Sequence, residues 1–429
     1  MNSSRRSPQA LPALHTAREP RAMVVARRAS TVLVAAVLML ASTAWFVYRG
    51  FESDLGGNAL DISGLGAQSG ARSTEGGDPP SDSFAGRALN VLLVGQDGRH
   101  GQGDSFGSET DIEGMRADTT MLVHVSADRS RIQVVSIPRD LKTDIPSCTR
   151  SDGSVSGATF DRFNAAFAIG SNSQEDVASG IACTRATVEH LSGLPVDEFA
   201  VVDYTGCEAM LEALGGVGLD VPEDVHDVEA QAFLSAGCQK LDGPSALGYA
   251  RARKSLGDGT DLGRIGRQQT LVAAIFREAL SKNYVTDLPA VLSFLKQTLA
   301  SLQTSVGLSG LNADLGLLLS VADIDRASIQ FVMMPNHYDP EEEGPVLASE
   351  PESSALWAAL ASDSGLPVGT AYTDGHGAAQ VVPDPEAGTA PGSAQSGAAP
   401  DTATPSAPPG DGSTQPEAPV DSCPPSGGQ

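Results

Sequence analysis

Asn90-Val91-Leu92-Leu93-Val94-Gly95 places four apolar side chains in a row and stops at a glycine. A strand with one wet face alternates polar and apolar residues. An unbroken apolar run this short, closed by glycine, suits a strand covered on both faces. NVLLVG therefore reads as a central strand. Working outward, Thr119–Val125 and Ile132–Ile137 have strand composition and are joined through Ala127-Asp128-Arg129-Ser130, which predicts a hairpin. Phe199–Val202 is a further strand, followed by an amphipathic helix over Cys207–Leu214 that stops at Gly215-Gly216. Helical patterning dominates from Arg264 to about Leu319, β character returns at Ser328–Met334, and Ser353–Ala361 is helical. Strands alternating with helices predict an α/β fold, a layered α-β-α arrangement with a mixed central sheet, preceded by one transmembrane helix.

That last element comes from the N-terminal sequence. Residues 1–30 carry Arg5, Arg6, Arg18, Arg21, Arg27 and Arg28 against the single acid Glu19, and the apolar run Thr31–Tyr48 follows. The run is long enough to span a bilayer, with the basic flank inside the cell and Trp45 and Tyr48 at the opposite interface. A cleavable signal peptide ending near Ser42-Thr43-Ala44 is the alternative. Residues 49–86 have the Gly/Ser/Asp/Pro composition of a flexible linker, 87–362 hold the folded domain, and 363–429 form a disordered Ala/Pro/Gly-rich tail. The expected location is the cell membrane, single-pass, with the domain extracytoplasmic. A nucleic-acid partner is not expected, since the basic segment is a short tail without a helix-turn-helix pattern.

The formal net charge is −25, yet Tyr249–Gln269 (YARARKSLGDGTDLGRIGRQQ) concentrates Arg251, Arg253, Lys254, Arg264 and Arg267. Arg264, Arg267 and Gln268 are spaced i, i+3, i+4 and would share one helix face. Guanidinium forks pair with phosphate oxygens, and Gly257, Gly259 and Gly263 permit close backbone approach, so the stretch reads as a phosphate or pyrophosphate cradle. A solvated basic helix is the alternative. Asp97 follows the central strand and Asp118 opens the next, beside Arg116. The two carboxylates converge at a sheet edge and suit Mg2+ completed by ligand phosphate. Alternatively, Asp97 caps a turn and Asp118 pairs with Arg116. Arg139 follows Ile137-Pro138, where proline ends the ladder and fixes the direction of the next residue. Four of the five cysteines precede the tail. Neighbourhood in sequence favours disulfides Cys148–Cys183 and Cys207–Cys238 among the three possible pairings.

In order along the chain, NVLLVGQDGR (90–99), RADTTMLVHV (116–125), VSIPRD (135–140), FNAAFA (163–168), VVDYTGCEAMLEALGGVGLDVPE (201–223), LDGPSALGYARARK (241–254) and DLGRIGRQQ (261–269) closely resemble the LytR-CpsA-Psr family. The resemblance implies a membrane-anchored enzyme that moves a glycopolymer from a polyprenyl-pyrophosphate carrier onto peptidoglycan through a phosphodiester bond, releasing polyprenyl phosphate. By motif match it implies Asp97 and Asp118 as Mg2+ ligands and Arg116, Asp118 and Arg139 as catalytic groups. Arg251, Arg253, Arg264, Arg267 and Gln268 would contact the pyrophosphate, as would Arg99 from the GxDxR pattern. The family's usual serine-like residue after the first aspartate is Gly98 here, and an acidic insertion spans Gly101–Gly114. A lipid-pyrophosphate hydrolase and a non-catalytic envelope regulatory or binding module are the alternative functions. Leu271, Val272, Ile275, Phe276, Leu292, Phe294 and Leu295 are either walls of a lipid groove or ordinary core, and core is the simpler reading of helical spacing. His124, in mid-strand, is a filler.

Overall fold

The structure, a computed structural model, describes residue 49 and residues 57–65, 82–96, 117–172, 176–252, 261–281, 298, 301–308, 316–317 and 319–384. The run 31–48, most of the linker and everything after 384 lie outside the described residues. Among those described, no helix is long and apolar enough to cross a membrane. The chain divides into Met1–Phe51 and Glu52–Gln429, and the fold below belongs to the second unit.

Its strands are β1 (Ala59–Leu60), β2 (Leu89–Gln96), β3 (Ala117–Val125), β4 (Ile132–Ile137), β5 (Lys142–Ile145), β6 (Thr159–Arg162), β7 (Glu198–Asp203), β8 (Val217–Val221), β9 (Val225–Asp227), β10 (Ala232–Leu234), β11 (Gly237–Leu241), β12 (Leu302–Ser305), β13 (Ile329–Met333), β14 (Asn336–Tyr338), β15 (Val346–Ala348), β16 (Ala371–Asp374) and β17 (Ala379–Val381). The longer helices are α1 (Ala165–Ser171), α2 (Val177–Ser192), α3 (Tyr204–Leu214), α4 (Gly243–Arg251), α5 (Asp261–Ser281) and α6 (Glu352–Ala361).

Nine strands form one mixed sheet in the order β1-β12-β7-β2-β3-β4-β13-β16-β17. The apolar run of β2 sits near its middle, parallel to β7 and antiparallel to β3, and is covered on both faces as expected. On one face Leu92, Val94, Leu122, Val135 and Val332 pack with Phe163, Phe167 and Ile181 around α1 and α2, and with Leu356 and Trp357 of α6. On the other, Met121, Val134 and Phe331 meet Ala273 and Val272 of α5. These are the expected α-β-α layers. Helices α1 and α2 cross closely: a Cβ on Gly180 would stand 2.6 Å from a ring carbon of Phe167, so glycine is required there. The segment from α3 to α4 forms a lobe with its own core, including Leu211, Leu219, Val221, Leu247 and Tyr249, and Leu271 and Ala274 of α5 close it.

Three expectations are corrected. Within the region read as helical, Leu302–Ser305 is a strand, antiparallel to β7. Its half-polar LQTS sequence carries no period of its own and is recruited by pairing. Residues 363–384, tail-like in composition, contribute β16 and β17 to the central sheet. The Cys148–Cys183 disulfide is present, with Cα atoms 5.4 Å apart. Cys207, however, is a free thiol packed against the lobe core, where burial pushes its pKa up to about 12. Cys238 stands on exposed β11 opposite Asp220 and is disulfide-bonded, but not to Cys207, which is free. The two cysteines face different environments, so the expected Cys207–Cys238 bridge does not form.

Candidate active site

Strands β2, β4 and β7 run parallel to one another, while β3 runs against them, so three carboxyl ends and the start of β3 meet at one edge. Such edges are where open α/β sheets place their ligands. The register puts Gln96, Ala117 and Asp203 side by side there. Asp118 is the second residue of β3, and Arg139 follows β4 after Pro138 has ended the ladder.

Arg139 Nη1 donates to Asp118 Oδ1 at 2.9 Å and Nε to Asp140 Oδ2 at 3.3 Å. The pairing of Asp118 is thus with Arg139; Arg116 lies outside the described residues. The second Asp118 oxygen accepts from the Tyr204 hydroxyl at 3.5 Å. Tyr204 opens α3, whose N-cap is Asp203, accepting from the Gly206 amide at 2.7 Å. Gly206 admits no side chain: a Cβ would stand 2.5 Å from that of Ser301. The Arg251 guanidinium, at the end of α4, lies 4.9 Å from the Tyr204 ring centroid, within cation–π range.

Helix α5 brings the remaining cations. Gln269 Nε2 donates to Ser136 Oγ at 2.7 Å, pinning α5 beside the end of β4. Arg267 Nη2 donates to the Ala252 carbonyl and ties α5 to the end of α4. Arg264, Arg267 and Gln268 are 9%, 5% and 9% exposed. That burial rejects the solvated basic helix, because guanidinium groups leave water only where counter-charge or acceptors receive them. The structure therefore brings Asp118 and Arg139 together directly, adds Arg251 through the Tyr204 ring, and docks the Arg264–Gln268 turn beside β4. Asp97, Arg99, Arg116 and Arg253 lie outside the described residues, as do residues 292–295 and the Phe276 side chain. Leu271, Val272 and Ile275 pack in core clusters.

The LytR_cpsA_psr family model matches residues 66–361, well over half of the chain. The protein belongs to the LytR_cpsA_psr family. Similar family members include the probable cell wall biosynthesis protein LcpB of Corynebacterium glutamicum, 35% identical over 47% of this chain and 45% of that protein. Another is the polyisoprenyl-teichoic acid–peptidoglycan teichoic acid transferase TagT of Bacillus subtilis, 30% identical over 54% of this chain and 64% of that protein. The chain thus spans about half to two thirds of the length of these curated relatives. In fold it is similar to protein gbs0355 from Streptococcus agalactiae, with a TM-score of 0.50 at 18% identity over 66% of this chain and 90% of that one.

For a LytR_cpsA_psr protein, the sequence motifs leave Tyr204, Asp140 and Arg162 without a role. Arg162 Nη1 donates to Asp140 Oδ1 at 3.2 Å. Beyond it, Glu342 reaches both Arg162 and Lys142, and Lys142 also meets Asp339 at 2.8 Å. These carboxylates, Asp339 first, hold the Lys142 ammonium above its ordinary pKa, and Lys142 holds both below theirs. Tyr204 could have been found from its place directly after a strand and an N-cap aspartate. Asp118 offers hard carboxylate oxygen, the donor chemistry magnesium prefers. Among the described residues, no group of three or more His, Cys, Asp or Glu is placed to hold a metal.

Proposed function

We propose that the protein transfers a glycopolymer from a polyprenyl-pyrophosphate carrier to a sugar hydroxyl of peptidoglycan. The observation that carries this reading is Arg139 held on Asp118 at the carboxyl edge of the sheet, with Arg251 against Tyr204 beside it and the buried α5 arginines on a helix pinned to the end of β4. Membership of the LytR_cpsA_psr family supports it, as does the likeness to a relative named as a teichoic acid transferase.

In the proposed step the acceptor oxygen bonds to the phosphorus that carries the glycopolymer. The bond from that phosphorus to the bridging oxygen breaks, polyprenyl phosphate leaves with the electron pair, and the hydroxyl proton passes to a carboxylate or solvent. Negative charge grows on the phosphoryl oxygens and the leaving group, so fixed guanidiniums lower the barrier most when they are aimed at those atoms beforehand. Arg139 is held in this way by Asp118 and Asp140. Arg251 is oriented by the Tyr204 ring, and Arg267 by the end of α4. Asp118, with Asp97, would hold Mg2+, which when bound supplies further positive charge to the phosphates. The domain acts outside the membrane, anchored through the run 31–48.

Full-length protein in detergent, given a lipid-linked glycopolymer and peptidoglycan, should yield phosphodiester-linked polymer and polyprenyl phosphate. Release of polymer to water regardless of acceptor would make it a hydrolase, and absence of turnover would leave a binding module. A periplasm-type reporter fused after Asp384 should be active, and a cytoplasm-only signal would overturn the topology.

A further inference from the structure

Each carboxylate that holds Arg139 must itself be held, because an arginine gains precision from its partners only when those partners do not swing. We infer that Arg162 is a positioning residue for the reaction, acting through Asp140 on Arg139. This rests on the proposed phosphoryl-transfer role of the edge.

Asp140 is buried, and its backbone is fixed by its carbonyl, which accepts from the Val346 amide at 3.1 Å. Its two side-chain oxygens are divided: Oδ2 takes Arg139 Nε at 3.3 Å and Oδ1 takes Arg162 Nη1 at 3.2 Å. Arg139 is therefore gripped at Nε by Asp140 and at Nη1 by Asp118, which fixes the plane of its guanidinium. Arg162 reaches this arrangement through a hairpin. Strand β6 pairs with β5, opposing Arg162 to Lys142, and the chain then returns to Arg139, whose carbonyl accepts from the Asn164 amide at 3.0 Å. The hairpin is braced by the Cys148–Cys183 disulfide and by two Arg150 bonds to the Ile169 carbonyl.

The series weakens outward in a readable order. The Arg139–Asp118 pair has side chains 18% and 12% exposed, whereas the Arg162–Glu342 pair is 41% and 49% exposed at 3.4 Å. Exposed pairs contribute little, so Glu342 ends the series and serves as its control. A purely structural role for Arg162 would instead scale with stability and ignore what happens at Arg139.

The test uses the full-length protein and inorganic pyrophosphate as the probe, with affinity read by calorimetry. Asp140→Asn should weaken binding about tenfold, Arg162→Gln less, and Glu342→Gln not measurably, with melting temperatures near the parent's. In an Arg139→Ala background, where Arg251 and the α5 arginines still bind the probe, Arg162→Gln should have no further effect. An undiminished effect of Arg162→Gln in that background, or a loss fully explained by unfolding, would overturn the positioning role. Failure of the parent protein to bind pyrophosphate would instead overturn the proposed function.

Discussion

The two ends of the central sheet use arginine in opposite ways. At the end away from the reaction edge, each guanidinium has its own carboxylate: Arg87 with Asp197 at 2.6 Å, Arg129 with Asp82 at 2.8 Å and Arg131 with Asp363 at 2.7 Å. The Arg129 and Arg131 pairs fasten neighbouring chain to the β3–β4 turn, and Arg87–Asp197 ties the entry to β2 to the entry to β7. Arg129, at a φ of 56°, also donates to the carbonyls of Phe84, Arg87 and Ser126. At the carboxyl end, Arg139 and Arg162 share Asp140, Arg251 lies against the Tyr204 ring, and Arg264 and Arg267 are buried on α5. Matched pairs serve the fold. In the proposed function, the oriented guanidiniums at the carboxyl end would serve an anion that arrives from outside, whose charge would offset part of the cost of holding those cations out of water.

The sharpest way to break this contrast is to delete one arginine from each end. Arg139→Ala should lower the transfer rate by roughly 10²–10³-fold, the scale for losing a charge-stabilising donor, while leaving the melting temperature nearly unchanged. Arg129→Ala should do the reverse, costing about 3 kcal/mol of stability because Asp82 and several carbonyls lose a buried partner, with the rate per folded molecule preserved. If both variants lose stability and activity together, the two ends do not differ in kind. A finer probe is Arg267→Lys. A point charge cannot reproduce the fork, so the rate should fall by about tenfold or more, with a small loss of stability from the bond to Ala252. Parental activity there would remove α5 from the anion site.

The smallest effect belongs to His124, at the far end. Its Nδ1 lies 2.7 Å from Asn90 Oδ1, whose amide nitrogen is committed to the Pro195 carbonyl, and its Nε2 lies 3.2 Å from Asp363 Oδ1. Burial pushes its pKa down from 6.5, outweighing the upward pull of Asp363, with Arg131 adding to the depression and Asp197 opposing it. A histidine whose folded pKa is depressed takes up its proton more readily unfolded, so stability should fall as pH drops below about 6.5 toward the folded value. The slope is at most about 1.4 kcal/mol per pH unit. Chemical denaturation across that range should show the slope in the parent and a flatter line for His124→Gln. Identical slopes would remove His124 as its source.

What could be read from the sequence was what each stretch declares by itself. The run at 91–94 can only be covered on both faces, the β3–β4 hairpin follows from its turn, and Pro138 announces that Arg139 leaves a strand. What could not be read depends on pairing across the chain. LQTS at 302–305 and AYTD at 371–374 have no strong period and become strands because β7 and β13 offer them an edge. Asp140 and Arg162 are unremarkable charges until the β5–β6 hairpin folds one onto the other. Cys207 and Cys238 are close in sequence, yet the lobe turns one inward and the other outward.

The bonds of Arg129 also have a mechanical meaning. Tension arriving along the chain from the N-terminal side would have to peel the two-residue β1 from β12 and then pull Asp82, Phe84 and Arg87 from a single guanidinium before it loaded β2. All of the Arg129 bonds lie at the end of the sheet away from Arg139. The domain thus carries its own strain relief, and a pull from its N-terminal side would be spent before Arg139 moved.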